Sequence, residues 1–284
     1  MPDSAASLLW DHDVKSRIVN LFVNRPENPY GVRTLTGYNK PRIGISIHPV
    51  GQALLVARNA DGQVSVMGGG ANFPDEFIAP GQVPMTWRVK TIDGYAYSVG
   101  GQRQIYKRED LGKWVKVVEL PGHKEVSRVG FSDMDAFSAN DMYAVGGHGD
   151  VWHFDGVRWQ QMGFPSNVQL ATVTCAGDGN VYISGEGGSL WIGKKSTWAR
   201  IYQGSASVLW NDVVWFDGKL WLASDYQLRQ WNGRELVVVE YEGEVVPIYG
   251  HMDARDGLLA VASPMSVMAF DGRTWRTLVA PYSD

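Results

Sequence analysis

Short runs of alternating apolar and polar residues, separated by Asp-Gly or Gly-rich turns, fill most of this chain. In the run 151–154, Val151 and His153 alternate with Trp152 and Phe154, which is the period of two that a β-strand shows. The runs do not show the three- and four-residue spacing of an amphipathic helix. The pattern therefore predicts short strands joined by tight turns and disfavours helix.

One block of residues recurs along the chain: a polar turn, a strand, a small-residue turn, a second strand, a further turn and a Trp. Successive copies start 38 to 47 residues apart, counted between the residues Gly51, Gly94, Asp141, Gly179, Gly218 and Gly257. Four copies end in a tryptophan and one in Leu236; the tryptophans are Trp114, Trp159, Trp198 and Trp275. A period near 40 with four short strands per repeat is typical of a β-propeller blade.

The repeat predicts an all-β fold, a single β-propeller of four-stranded blades over residues 41–284. Six copies are counted, and they cover residues 41–80, 81–125, 126–167, 168–208, 209–245 and 246–281. Residues 1–40 form an N-terminal segment that contains the strand-like run SRIVNLFVN. We expect this segment to close the ring by pairing with the last blade, and a degenerate seventh blade is the alternative. The closing tryptophans are expected to pack between blades.

Composition narrows the possible partners. Hydrophobic residues make up 44% of the chain, which allows a large core, and the net charge is −4 without any cluster of Lys or Arg. Binding to a phosphate backbone needs such a cluster, so nucleic acid is not expected as a partner. The N-terminus does not resemble a signal peptide, and no run of about 18 apolar residues occurs. We expect a cytoplasmic protein with no membrane partner.

The sequence contains no pattern that predicts catalysis, a cofactor or a metal. Its six histidines do not follow a linear zinc motif, and with Cys175 as the only cysteine neither a disulfide nor a cysteine zinc site can form within the chain. The Gly-rich stretches lack the spacing of dinucleotide- or phosphate-binding loops. The run Asp11-His12-Asp13 is interpreted as a solvated turn. A metal held across blades is the alternative that linear spacing does not reveal.

Candidate binding residues follow from the repeat. The start of each first strand and the loop between the second and third strands are expected on one face, where polar residues differ from copy to copy. We predict partner contacts at Arg58, Arg88, Gln102, Arg103, Arg128, His148, Asp150, Glu186, Asn211, Asp212, Asp225, Tyr226 and His251. Such variation on a constant frame is typical of a surface adapted to one partner, although loops also tolerate variety without function.

Two resemblances add to this interpretation. The segments DMYAVGGHGDVWHFDGVRWQQM and GNVYISGEGGSLWIGKKSTWARI resemble bacterial WD-repeat-like and YVTN-like propellers, without the Trp-Asp ending of true WD repeats. The segments VSVMGGGANFPDEFIAPG and WRVKTIDGYAYSVGGQRQIYKRED resemble immunity propellers encoded beside polymorphic toxins of type VI secretion and Rhs systems. The second resemblance implies a protein that binds a cognate toxin and blocks its active site.

Two other functions stay open at this point. A small-molecule or glycan-binding propeller would use exposed aromatic residues, for which Trp87, Trp210 and Tyr226 are the candidates. A propeller hydrolase or lyase would need a metal held across blades.

Overall fold

The computed structural model describes residues 14–22, 25, 27, 29–38, 41–58, 62–68, 71–80, 85–117, 120, 130–204 and 208–281. The chain divides into two compact units, Met1–Phe131 and Ser132–Asp284. Almost all of the described secondary structure is antiparallel β-strand. No helix in these described ranges is long and apolar enough to cross a membrane.

The first described strands of the first unit form a hairpin. Its strands β1 (Lys15–Leu21) and β2 (Tyr30–Thr36) pair with each other along their whole length. Leu35 and Tyr38 pack with two residues of the first blade, Leu55 and Ala57. The predicted boundary at residue 40 and the ring-closing role of the N-terminal segment stay predictions.

The first unit also contains two blades. Blade 1 consists of β3 (Arg42–Ser46), β4 (Gln52–Val56), β5 (Gln63–Gly68) and an outer edge split into β6 (Ala71–Asn72) and β7 (Glu76–Phe77). Blade 2 consists of β8 (Thr86–Ile92), β9 (Tyr95–Gly100), β10 (Ile105–Asp110) and β11 (Lys113–Lys116).

The second unit contains four further blades, apart from Phe131 at the start of β12. Blade 3 consists of β12 (Phe131–Ser138), β13 (Asp141–Gly146), β14 (Asp150–Phe154) and β15 (Trp159–Met162). Blade 4 consists of β16 (Leu170–Cys175), β17 (Val181–Gly185), β18 (Leu190–Lys194) and β19 (Thr197–Tyr202), with the 3₁₀ turn Glu186–Gly188 between β17 and β18.

Blades 5 and 6 complete the repeat. Blade 5 consists of β20 (Asp212–Phe216), β21 (Lys219–Ala223), β22 (Leu228–Trp231) and β23 (Leu236–Val238), followed by a small hairpin of β24 (Glu240–Tyr241) and β25 (Glu244–Val245). Blade 6 consists of β26 (His251–Arg255), β27 (Leu258–Ala262), β28 (Val267–Phe270) and β29 (Trp275–Val279). Six four-stranded blades confirm the predicted all-β propeller class and the count of six.

The core lies in layers between adjacent blades. One layer joins Tyr143 and Val151 of blade 3 to Ile183 and Trp191 of blade 4, and similar layers lie between blades 4 and 5, blades 5 and 6, and blades 1 and 2. Neighbouring blades therefore cover both faces of a second strand, and β17 is buried along its whole length.

Three of the four closing tryptophans pack between blades, as predicted. Trp114 packs against the layer between blades 1 and 2, and the ring centroid of Trp275 lies 6.1 Å from that of Trp221 in blade 5. Trp159 is buried, and its ring centroid lies 5.5 Å from that of Phe154 in its own blade. Trp198 packs against the layer between blades 3 and 4. A large flat ring at the start of the outermost strand fills the space where adjacent blades diverge.

First strands of neighbouring blades are joined by side-chain hydrogen bonds. The N–H of Val173 donates to Asp133 Oδ2 (3.1 Å), and the N–H of Cys175 donates to Asp135 Oδ2 (2.8 Å). Thr174 Oγ1 in turn donates to the carbonyl oxygen of Val213 (2.5 Å). These bonds pair residues 39 or 40 positions apart, so the sequence repeat corresponds to a physical link between blades.

Candidate functional site

In the second unit, the loops between second and third strands meet the residues that lead into the next first strand. The N–H of Gly149 donates to Val168 O (3.0 Å), and the N–H of Leu170 donates to Gly147 O (3.0 Å). We call this side the loop surface, and it comprises residues 147–150, 168–169, 186–189, 208–212, 224–227, 248–251 and 263–266. Backbone hydrogen bonds between blades therefore hold these loops in fixed positions.

Gly250 lies at the centre of the part formed by blades 5 and 6. Its N–H donates to Ser224 O (2.7 Å), and its carbonyl oxygen accepts from Asn211 Nδ2 (3.3 Å). Nδ2 of Asn211 also donates to Asp225 Oδ1 (2.6 Å). Asn211 therefore links the start of blade 5 to both the blade 5 loop and the start of blade 6.

Asp212 and His251 form the second link between these blades. Oδ2 of Asp212 lies 2.8 Å from Nδ1 of His251 and accepts a hydrogen bond from the N–H of Met252 (3.1 Å). Asp212 is buried, whereas the His251 side chain is mostly exposed. The carboxylate thus fixes an imidazole that faces solvent.

The structure brings together four of the predicted contact residues here: Asn211, Asp212, Asp225 and His251. Tyr226 follows Asp225 and is 81% exposed. This is the densest grouping of predicted residues in the second unit.

The predicted residues of blades 3 and 4 differ in exposure. His148 is exposed, with its Nδ1 3.1 Å from Asn167 O, and Glu186 is exposed at the 3₁₀ turn. Asp150 is buried and accepts from Trp152 Nε1 (2.9 Å) and Gln161 Nε2 (3.1 Å). Asp150 and Asp212 both hold their loops from inside, so the interpretation of these two residues as direct contact residues is corrected.

In the first unit, Arg58 and Trp87 form a pair. The Arg58 guanidinium lies 4.6 Å from the centroid of the Trp87 ring, which is the geometry of a cation–π contact. Arg88 is half-buried, and Gln102 is exposed in the loop between β9 and β10. Arg128 lies outside the described residues.

Arg103 is buried, which corrects its assignment to the contact surface. Its side chain is only 6% exposed, and its backbone has a φ of 57°. Replacement of a side chain so buried should disturb the loop. Loss of binding after its replacement would report on folding rather than on contact.

The aromatic residues proposed for ligand stacking are also partly corrected. Trp210 is 2% exposed, and its Nε1 donates to Gly188 O (2.9 Å), so it packs inside the fold. Arg58 covers one face of Trp87. Of the three residues, Tyr226 alone is exposed over most of its side chain.

No group of three His, Cys, Asp or Glu side chains that could hold a metal occurs within the described ranges. Asp11, His12 and Asp13 lie outside those ranges.

Sequence reasoning missed the exposed apolar residues of the loop surface, which are Leu209, Tyr249 and Met265. The sequence does contain a signal for Met265. Ser224 and Ser263 follow an alanine at the same place in blades 5 and 6, and each is followed two positions later by a large apolar or aromatic residue.

Comparison with solved structures agrees with the described blades. Virginiamycin B lyase from Staphylococcus aureus matches with a TM-score of 0.66 at 9% identity, over 95% of this chain and 90% of the lyase chain. YCF48 bound to D1 peptide matches with a TM-score of 0.57 at 13% identity, over 94% of this chain and 86% of YCF48. These similarities show the fold alone, and they place the chain in the class of β-propeller proteins.

A curated relative identifies the family. Immune protein Tsi7 of Pseudomonas aeruginosa is 36% identical over 234 residues, which are 80% of this chain and 76% of that protein. The chain therefore belongs to the family of Immune protein Tsi7, and this relationship supports an immunity role. No protein-family model matches the chain.

Proposed function

We propose that this chain is an immunity protein that binds a cognate bacterial toxin and neutralises it by covering the toxin's active site. The observation that carries the proposal is the 36% identity to Immune protein Tsi7 over 80% of the chain. The protein acts as a binding partner and not as an enzyme. It works in the cytoplasm, against a toxin delivered by type VI secretion.

The loop surface supports this proposal. Its loops are held by backbone hydrogen bonds between blades, so it offers a partner a preorganised surface. Its side chains differ between blades, from His148 and Glu186 to Tyr226, as recognition of one asymmetric partner requires. A specific complex of this kind would bury about 1,600 Å² in total.

Co-expression tests the immunity role. A candidate toxin, chosen from the genes that neighbour the gene of this chain, is produced in a host cell with and without this protein. We expect growth arrest without the protein and normal growth with it. Continued arrest in the presence of folded protein would refute the immunity role against that toxin.

Titration of purified toxin separates occlusion from catalysis. A protein that covers the active site inhibits in proportion to its amount, so residual toxin activity should reach its minimum at one molecule per toxin. The inhibition should not deepen with longer preincubation. Complete protection by a small fraction of an equivalent would instead indicate an enzyme that destroys the toxin or reverses its product.

A further inference from the structure

Two turns of the loop surface share one construction. In blade 5, the N–H groups of Tyr226 and Gln227 both donate to Ser224 Oγ, each at 3.2 Å. In blade 6, the N–H groups of Met265 and Ser266 donate to Ser263 Oγ at 3.2 and 2.9 Å. Each serine thus closes a four-residue turn and leaves the third residue at its tip.

The third residue of each turn points its side chain into solvent. Tyr226 is 81% exposed and Met265 is 62% exposed. Blade 4 has Gly188 as the third residue of its corresponding segment, and blade 3 has Gly149. Within the second unit, the exposed large side chains at these tips therefore belong to blades 5 and 6.

The two tips lie on either side of Gly250. This residue bonds to the blade 5 turn through Ser224 O, and a Cβ built on it would lie 2.3 Å from Ala262 O, directly before the blade 6 turn. Tyr249, its neighbour, is exposed, as is Leu209 before blade 5. Tyr226, Tyr249 and Met265 thus lie around Gly250, and Leu209 is a further exposed apolar residue of the same loop surface.

Such a patch is a typical binding surface. Aromatic residues and Met are enriched at protein interfaces, and anchors of binding energy are large side chains held on ordered backbone. The aromatic ring of Tyr and the flexible thioether side chain of Met can fill an apolar recess of a partner, with the Tyr hydroxyl group left to bond at the edge of the recess.

Among Asp, Glu, Lys and Arg, the loop surface carries acidic side chains alone. They are Asp150, Glu186, Asp212 and Asp225, of which Glu186 and Asp225 are exposed. The other turns of each blade lie at the opposite ends of the strands, because consecutive strands are antiparallel neighbours. Those turns and the strand residues beside them carry both signs of charge: seven basic side chains (Arg158, Lys194, Lys195, Lys219, Arg234, Arg255 and Arg273) and seven acidic ones (Asp141, Asp155, Asp178, Asp217, Glu235, Asp256 and Asp271).

We propose that Tyr226 and Met265 are the anchors by which this protein binds its toxin, and that the toxin presents an apolar recess bordered by Lys or Arg side chains. This inference rests on the proposed function and adds the surface and the chemistry of the partner. Acidic residues around the anchors steer the basic partner and raise its association rate.

Binding of the purified toxin tests the anchors. Tyr226→Ala and Met265→Ala should each raise the dissociation constant about 30-fold, as loss of a hot-spot side chain does. The matched control is Val157→Ala, because Val157 is 87% exposed on the opposite turns. We expect this control to bind as the unchanged protein does. All three side chains are exposed, so we expect the variants to fold. Thermal unfolding of each variant checks this.

The salt dependence of association tests the charges. Glu186→Gln should lower the association rate at low salt and weaken its dependence on ionic strength. The control Asp256→Asn removes an equal charge from an exposed residue of the opposite turns and should leave the rate unchanged. Equal effects of the two substitutions would refute the steering by the loop surface.

The outcomes separate this inference from the proposed function. If the unchanged protein does not bind or inhibit the toxin, the proposed function fails and this inference falls with it. If it binds and both anchor variants bind equally well, the surface is wrong while the function stands. A dimer seen by light scattering that Tyr226→Ala dissociates, or glycan binding that the same substitution abolishes while toxin binding persists, would also overturn the assignment.

Discussion

Arg108 and Glu76 form a two-pronged ion pair inside the first unit. Nε of Arg108 donates to Oε2 of Glu76 at 2.8 Å, and Nη2 donates to Oε1. The same carboxylate accepts from Trp114 Nε1 (2.9 Å), and Nη2 also donates to Gln52 Oε1 (2.6 Å). Arg108 is fully buried, so this network joins blades 1 and 2 away from water.

Removal of one partner should therefore be costly. Glu76→Ala leaves a buried guanidinium without its counter-charge, which should lower the free energy of unfolding by about 3–5 kcal/mol. The control is Glu109→Gln, which removes the exposed Lys113–Glu109 pair and should leave the free energy of unfolding almost unchanged. Denaturant unfolding of the whole protein measures both changes, and similar losses would show that the buried pair adds no more stability than the exposed one.

A double variant separates the charge from the packing. Glu76→Leu combined with Arg108→Met removes both charges and keeps apolar volume at the site. Because buried pairs replaced by apolar side chains are often neutral, this variant should recover most of the stability lost in Glu76→Ala. If the double variant were less stable than Glu76→Ala, the hydrogen bonds of the pair rather than its charge balance would dominate.

Asp212 should matter more for stability than its charge suggests. Asp212→Ala removes the acceptor for Met252 N–H and for His251, and it should lower the free energy of unfolding by about 1–3 kcal/mol. Asp253→Ala is the control, since this exposed carboxylate accepts from the N–H of Ala254, the next residue of its own strand. Thermal unfolding of both variants checks the difference. Equal midpoints would show that the link between blades adds no stability.

Local sequence patterns were sufficient to predict the blades. Turn residues and the closing tryptophans recur at a fixed period, and a blade is one hairpin-connected unit whose strands are neighbours in sequence. The structure has Trp159 and Trp275 at the first positions of β15 and β29. Leu236 begins β23, as the repeat predicts.

Burial of polar and aromatic loop residues was not predictable in the same way. Asp212 bonds to a residue 39 positions away, and Trp210 bonds to one 22 positions away. Such partners lie in a neighbouring blade. The local sequence therefore does not indicate whether a polar loop residue faces inward or outward. The serine turns of the structure were needed to distinguish the exposed Tyr226 and Met265 from the buried Trp210.

Gly250 should be difficult to replace by any residue that carries a side chain. Its φ is 119°, and an added Cβ would contact Ala262 O. Gly250→Ala should therefore lower the free energy of unfolding by more than about 1 kcal/mol and displace Tyr249 and His251. Gly163→Ala is the control, because an added Cβ there meets nothing within 4 Å. A stable Gly250→Ala variant that binds toxin normally would contradict this rigid centre.

Two aspartates in the opposite turns should make the stability of the folded state fall at acidic pH. The backbone N–H groups of Thr274 and Arg273 donate to Asp271 Oδ1 and lower the pKa of that carboxyl below 3.8. The N–H groups of Arg158 and Val157 lower the pKa of Asp155 in the same way. Blade 5 makes the same turn with Asn232, whose Oδ1 accepts from Arg234 and Glu235 N–H but does not titrate.

The sign of the effect follows from these pKa shifts. Each carboxylate stabilises the folded state fully above pH 3.8, its unfolded value, and this contribution is lost as the pH falls through the lower folded value. Asp155→Asn with Asp271→Asn keeps the acceptor oxygen and removes the titration. The double variant should therefore unfold at a slightly lower temperature at neutral pH, and its curve should approach that of the unchanged protein in acid. Parallel curves across this range would show that other carboxylates govern the acid response.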